Sequence, residues 1–194
     1  MSGWEKLKIA LTQVLGLENC NIPMICEGGA ALYVPSSEQI TYVKEPFDKD
    51  IILSILKPES FRIEPGKLSC LSLYPQPGYT VNILYETIMG RIDNEALGLD
   101  ISTSAAAVDI VPKGANKAGA IRILEKEYGI LASNSCCIGD SRNDLSMFEV
   151  CKYGACPNNA SEIVKENASY ISSYNNTRGV EDILKKFSLK FGLD

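Results

Sequence analysis

The chain has no histidine. That excludes Ser-His-Asp and Cys-His nucleophilic catalysis and removes the imidazole ligands of most zinc sites. Any acid–base chemistry must come from Asp, Glu, Lys or Tyr. There is no C-x-x-C, and seven cysteines is an odd number (Cys20, Cys26, Cys70, Cys136, Cys137, Cys151 and Cys156). A disulfide framework and a thiolate metal site are both disfavoured. Several of these cysteines lie in apolar runs and read as small core residues of a reducing cytoplasm. No cluster of Lys or Arg occurs, and the net charge is −5, so nothing argues for nucleic acid as a partner. No apolar run approaches a membrane span and Met-Ser-Gly-Trp-Glu-Lys lacks the features of a signal peptide, so no membrane is expected and the localisation read from the sequence is cytoplasmic. The sequons at Asn159, Asn167 and Asn175 carry no meaning in that compartment. Neither G-x-G-x-x-G nor G-x-x-x-x-G-K-[ST] is present.

What is present is an ordinary globular composition: 194 residues, 45% hydrophobic and 22% charged, enough for one or two domains with a real core. Ser2 to Gly16 reads as an amphipathic helix with Trp4, Leu7, Leu11, Val14 and Leu15 on one stripe and Ser2 as N-cap. Ile22–Cys26 reads as a short buried strand ending at Glu27-Gly28-Gly29, where paired glycines predict a tight turn or a close backbone approach. From about Ser36 to Val108 the elements become small: a half-exposed strand at Ile40–Lys44, a helix at Asp48–Leu56 stopped by Pro58, a period-2 strand at Leu68–Tyr74, a helix at Val81–Ile92 and a strand within Leu99–Ala107. Asn116 then caps a helix with Ala120, Ile121, Leu124 and Tyr128 on its apolar face, ended by Gly129. Further elements follow in alternation: a strand at Tyr153–Cys156, a helix at Ser161–Asn167, a strand at Tyr170–Ser172 and a last helix at Val180–Phe187. This alternation predicts a parallel, doubly wound α/β sheet.

The most informative stretch is Ser135–Phe148, S-C-C-I-G-D-S-R-N-D-L-S-M-F. A buried strand breaks at Gly139 and delivers Asp140, Asn143 and Asp144 onto a turn and the first turn of a helix. Carboxylates at i and i+4, with an amide at i+3, share one helix face. They stand at the carboxyl end of a strand, where open α/β sheets bind ligands. Hard oxygen ligands without His or thiolate suit Mg²⁺. The plainer alternative is an acidic helix start with Ser141-x-x-Asp144 as a capping box; it accounts for Ser141 and Asp144 and leaves Asp140 and Asn143 unexplained.

G-D-S-R-N-D-L-S-M-F resembles the fourth motif of the haloacid dehalogenase superfamily, and P-K-G-A-N-K-A-G-A-I its third. E-G-G-A-A-L-Y resembles the turn leading to the cap of the Cof-type phosphatases, which include phosphoglycolate phosphatases. Ser2-Gly3-Trp4 resembles the second motif, Ser/Thr-Gly-Arg, with Trp4 in place of the Arg. The resemblance implies an α/β fold: a Rossmann-like core formed by 1–36 and 109–194, with an inserted α+β cap over 37–108. It implies a Mg²⁺-dependent phosphatase acting on a small phosphorylated metabolite such as a sugar phosphate or phosphoglycolate. Ser2 and Gly3 would bind the phosphoryl group at a helix N-terminus, and Lys117 would neutralise charge on it and on the attacking carboxylate. Asp140 would ligate Mg²⁺, with Asp144 and Asn143 as ligands or as anchors of the ligand turn.

One part of the pattern is absent. The family's nucleophile is the first Asp of an Asp-x-Asp at the end of its first strand. Here Asp48-Lys49-Asp50 matches only as spacing, at a helix start within 37–108. Without the strands that carry the motif, inner strands would expose ladder groups and apolar faces at a cost exceeding a typical net stability of ~5–15 kcal/mol. The expectation is therefore that this chain is a fragment of a longer polypeptide, with a core lacking its N-terminal strands, or that it is completed by a complementing N-terminal segment or a homo-oligomeric partner. The alternative function is a non-catalytic protein of this fold that acts by binding.

Overall fold

The computed structural model describes Asn19 and residues 21–191, apart from 57 and 105. The expected helix from Ser2 to Gly16 lies outside the described residues. The chain divides into two compact units, Met1–Ala120 and Ile121–Asp194.

In the first unit, β1 (Met24–Cys26), β2 (Ala31–Val34) and β3 (Gln39–Tyr42) form an antiparallel sheet in that order, with Cys26 opposite Ala31 and Ala31 opposite Tyr42. The turn between β1 and β2 uses Gly28 at φ 70 and Gly29 at φ 105. Gly29 also makes a close approach, as its pairing with Gly28 predicted: a Cβ there would lie 2.2 Å from the Lys117 backbone nitrogen. A second antiparallel sheet has the order β4 (Phe61–Ile63), β5 (Leu71–Pro75), β7 (Val108–Pro112), β6 (Leu99–Thr103). Helix α1 (Lys49–Ile55) starts where the Asp48 carboxylate accepts the Asp50 N–H at 2.9 Å. Helix α2 (Val81–Met89) starts at Thr80, whose hydroxyl accepts the Ile83 N–H. Both turn an apolar stripe inward. Ile52, Leu56, Leu84 and Ile88 join Leu71, Leu73, Leu99, Val108 and Ile110 in one core. The alternation of buried Val108, Ile110 and Pro112 with half-buried Asp109 and Val111 is the period-2 pattern of a sheet covered on one face.

Helix α3 (Lys117–Tyr128) begins at Asn116, whose side-chain oxygen accepts the Gly119 N–H, and Gly129 follows it at φ 69. The expected apolar positions Ala120, Ile121 and Leu124 are buried.

The second unit holds a parallel sheet in the order β10 (Tyr170–Ile171), β9 (Tyr153–Cys156), β8 (Cys136–Ile138). Successive residues of a strand face opposite ways, and β9 uses both faces. Ala155 packs with Ile183 and Phe187 of α6 (Asn176–Phe191). Cys156 packs with Val164 of α5 (Glu162–Asn167) and with Leu145 and Phe148 of α4 (Leu145–Val150). Helices on both sides of a parallel sheet give the doubly wound α/β arrangement that the alternation predicted. Among the described residues β8 is an edge, with β9 on one side only.

Phe148 explains two glycines. A Cβ on Gly154 would lie 2.3 Å from Phe148 Cδ1, and one on Gly139 would lie 3.0 Å from Phe148 Cε2. We expect Gly154→Ala to destabilise the chain by about 1–3 kcal/mol through overpacking, measured by urea unfolding. Adding Phe148→Leu should recover part of that loss.

Candidate active site

Strand β8 hands the chain to a turn that is built around one carboxylate. Asp144 is 5% exposed, and its Oδ2 accepts the N–H of Asp140 at 3.0 Å, the N–H of Ser141 at 3.1 Å and the hydroxyl of Ser141 at 3.2 Å. Gly139 has no room for a side chain because the Asp144 Cβ would lie 2.4 Å from it. From the other side, the Asp140 carbonyl accepts the Ser161 N–H at 2.9 Å, which ties the turn to the residue capping α5. The capping-box geometry between Ser141 and Asp144 is therefore real. It does not compete with a site, because the buried Asp144 fixes the turn while Asp140 is exposed on it.

The Asp140 carboxylate takes no hydrogen bond or ion pair among the described residues. It lines a cavity of about 470 Å³ together with Gly139, Asp144, Pro157, Asn176 and Thr177. Asn143 is exposed, and its side-chain oxygen accepts the Ser141 hydroxyl at 2.6 Å. Asn176 and Thr177, from the first turn of α6, were not legible as site residues. Asn176 is held at φ 49 by a reciprocal amide pair: its N–H donates to Asn159 Oδ1 at 2.7 Å, and Asn159 Nδ2 donates to its Oδ1 at 2.9 Å. The only signal in the sequence was two Asn-Asn pairs, Asn158-Asn159 and Asn175-Asn176, each in a turn-like stretch before a helix.

Lys117 is half-buried and opens α3 in the first unit, with Gly29 against its backbone. Ser2 and Gly3 lie outside the described residues. The thiols of Cys26 and Cys70 are each pushed up to about 11, chiefly by burial. They are protonated at neutral pH and make poor nucleophiles.

Asp140 and Asp144 offer hard oxygen donors of the kind Mg²⁺ takes. Among the described residues no group of three or more acidic, His or Cys side chains could hold a metal ion. The donor chemistry fits Mg²⁺, and these residues would supply part of its coordination.

The model of the haloacid dehalogenase-like hydrolases matches residues 78–184, more than half of the chain. The chain belongs to the haloacid dehalogenase-like hydrolase family. The resemblance to the haloacid dehalogenase superfamily carried by the Asp140 and Lys117 motifs thus holds. A phosphoglycolate phosphatase of Thermoplasma volcanium is 32% identical over 99 residues, which is 51% of this chain and 44% of that protein. One from Picrophilus torridus is 37% identical over 103 residues, which is 52% of this chain and again 44% of the relative. The matched part of the chain spans less than half the length of these relatives. Among solved structures, the sucrose-phosphatase of Synechocystis superposes with a TM-score of 0.73 at 18% identity, covering 96% of this chain and 82% of that one. Thermoplasma acidophilum 0175 does so with a TM-score of 0.71 at 23% identity, covering 91% and 78%. At such identities the structures report the fold.

Proposed function

We propose that this chain is the greater part of a Mg²⁺-dependent phosphomonoesterase acting on a small phosphorylated metabolite, a sugar phosphate or phosphoglycolate. The observation that carries the reading is the Asp144-centred turn, which holds an unengaged Asp140 carboxylate at the end of a parallel strand and against a cavity. Asp140 would be a ligand of the metal, and Asp144 would hold the turn that presents it. Bound Mg²⁺ supplies positive charge against a phosphoryl group. Lys117 would add a second positive charge, and Ser2 and Gly3 would bind phosphoryl oxygens. Residues 37–108 would form the cap that screens substrate and excludes water.

The nucleophilic Asp lies outside these 194 residues in this reading. Asp48, which begins the sole Asp-x-Asp spacing, spends its carboxylate on capping α1. Among the described residues β8 pairs in a ladder with β9, and its other side is a place where a further strand would add. The same absence favours a second reading, a non-catalytic binding protein of this fold. A panel of phosphorylated metabolites, assayed for phosphate release with the chain joined to a strand ending in Asp-x-Asp, separates the two. The phosphatase reading expects turnover of at least one metabolite with Mg²⁺ and none with EDTA. Binding of metabolites without turnover would support the alternative.

A further inference from the structure

Glu27 is one of three non-glycine residues at positive φ among the described residues, at φ 51. That left-handed conformation is unfavourable for an L-residue, and glycine would adopt it freely. A strained residue is retained where its side chain does something the turn alone does not require. Here the carboxylate collects three successive backbone donors from a segment some forty residues on: Oε1 accepts Leu68 N–H at 2.7 Å, and Oε2 accepts Ser69 N–H at 2.7 Å and Cys70 N–H at 3.0 Å. The opposite side of that segment is held as well, because Lys49 Nζ donates to the Lys67 carbonyl at 2.6 Å. Burial lowers the Lys49 pKa, an effect partly offset by the charge of Glu27. Lys67 is fixed in turn by the Ser72 hydroxyl at 2.6 Å and the Glu64 carboxylate at 3.2 Å.

The other end of the same turn abuts the start of α3. Gly29 stands so close to it that a Cβ would come within 2.3 Å of the Asn116 carbonyl carbon and 2.2 Å of the Lys117 nitrogen. Three residues of backbone, Glu27 to Gly29, thus separate the carboxylate that holds the clamped segment from the contact with the residue assigned to the phosphoryl group, and that stretch spans roughly 8 Å at most. One continuous set of contacts therefore runs from the 67–70 segment through Glu27 and Gly29 to the start of α3, where Lys117 stands.

We propose that Glu27 is a positioning residue for substrate recognition: its carboxylate fixes the 67–70 segment at a set distance from Lys117, so that the non-phosphoryl part of the substrate meets a fixed surface. The assignment rests on the phosphatase reading above. Glu27→Gln keeps the size of the side chain but replaces one acceptor oxygen with an NH₂ that cannot accept. Glu27→Gly removes the strain and the clamp together. In the 194-residue chain, hydrogen exchange of the Leu68, Ser69 and Cys70 amides should accelerate by about tenfold or more in both variants. The amides of β5 and β7 should stay within about twofold of wild type, which a general loss of stability would not allow. In the polypeptide carrying the nucleophile, KM for phosphorylated metabolites should rise by about tenfold in Glu27→Gln, with kcat and the KM for p-nitrophenyl phosphate changed by less than about threefold. Unchanged exchange at 68–70 overturns the clamp. An equal loss on every substrate, or none on any, overturns the recognition role. A wild-type polypeptide that hydrolyses no phosphomonoester overturns the phosphatase reading and the recognition role with it, while the exchange result still decides the clamp.

Discussion

The 194-residue chain on its own is expected to release no phosphate from p-nitrophenyl phosphate in Mg²⁺ above the buffer rate, and to gain activity once a strand ending in Asp-x-Asp is joined to it. There is no histidine to activate a serine, and the Cys26 and Cys70 thiols are held protonated. The other carboxylates with defined partners are spent on structure. Asp93 accepts the Ala96 N–H, and Asp100 accepts the Gly114 N–H. Asp109 is bonded to the Ser72 hydroxyl beside Lys67, and Asp182 accepts from Tyr170 and Ser172. Asp144 is consumed by its own turn. Among the described residues Asp140 and Asp144 are the carboxylates that line the cavity, and a carboxylate that ligates the metal cannot also be the group that attacks phosphorus. Losing the nucleophile of a covalent mechanism costs a factor of about 10⁶ in kcat by comparison with a serine protease, far below the detection limit of a phosphate-release assay. Robust turnover by the chain alone would overturn the assignment of the nucleophile to another segment.

Local pattern carried much of the fold. The Asn116 cap, the Asp48 helix start, the Gly28-Gly29 turn and the alternation after residue 130 all rest on neighbours within a few residues. They appear where the sequence puts them. What escaped was non-local. Strand β2 is buried along its whole length, so Ala31-Leu32-Tyr33-Val34 shows no alternation to read. Strand β4 is three residues long and is defined by its partner β5. The strand expected from Leu68 begins at Leu71 because the preceding N–H groups go to Glu27 instead of to a ladder. Helix α6 begins at Asn176, four residues before the expected Val180. Gly179 is a packing glycine inside it: a Cβ there would meet the Tyr174 carbonyl oxygen at 2.4 Å and Pro157 at 2.7 Å. At the site, the spacing of Asp140, Asn143 and Asp144 was legible. Their division of labour was not, because it depends on which carboxylate the turn buries.

That division sets the second expectation, a contrast between two aspartates four residues apart. In the polypeptide that carries the nucleophile, Asp140→Ala should reduce kcat/KM by about 10³-fold, the several kcal/mol that a positioned metal supplies to a developing phosphoryl charge. Its stability should be unchanged, since the Asp140 side chain has no hydrogen bond to lose among the described residues. Its residual activity should respond weakly to Mg²⁺. Asp144→Ala should behave in the opposite sense on unfolding. Two backbone N–H groups and a hydroxyl lose a shared, nearly buried acceptor, which should cost about 2–4 kcal/mol in urea unfolding. Activity should fall as well, because the turn no longer presents Asp140. Asp144→Asn should fall between the two, as one amide oxygen can still accept part of that set. If Asp140→Ala left both turnover and the Mg²⁺ dependence intact, the metal would be held elsewhere and the Asp144-centred turn would be a helix cap and nothing more.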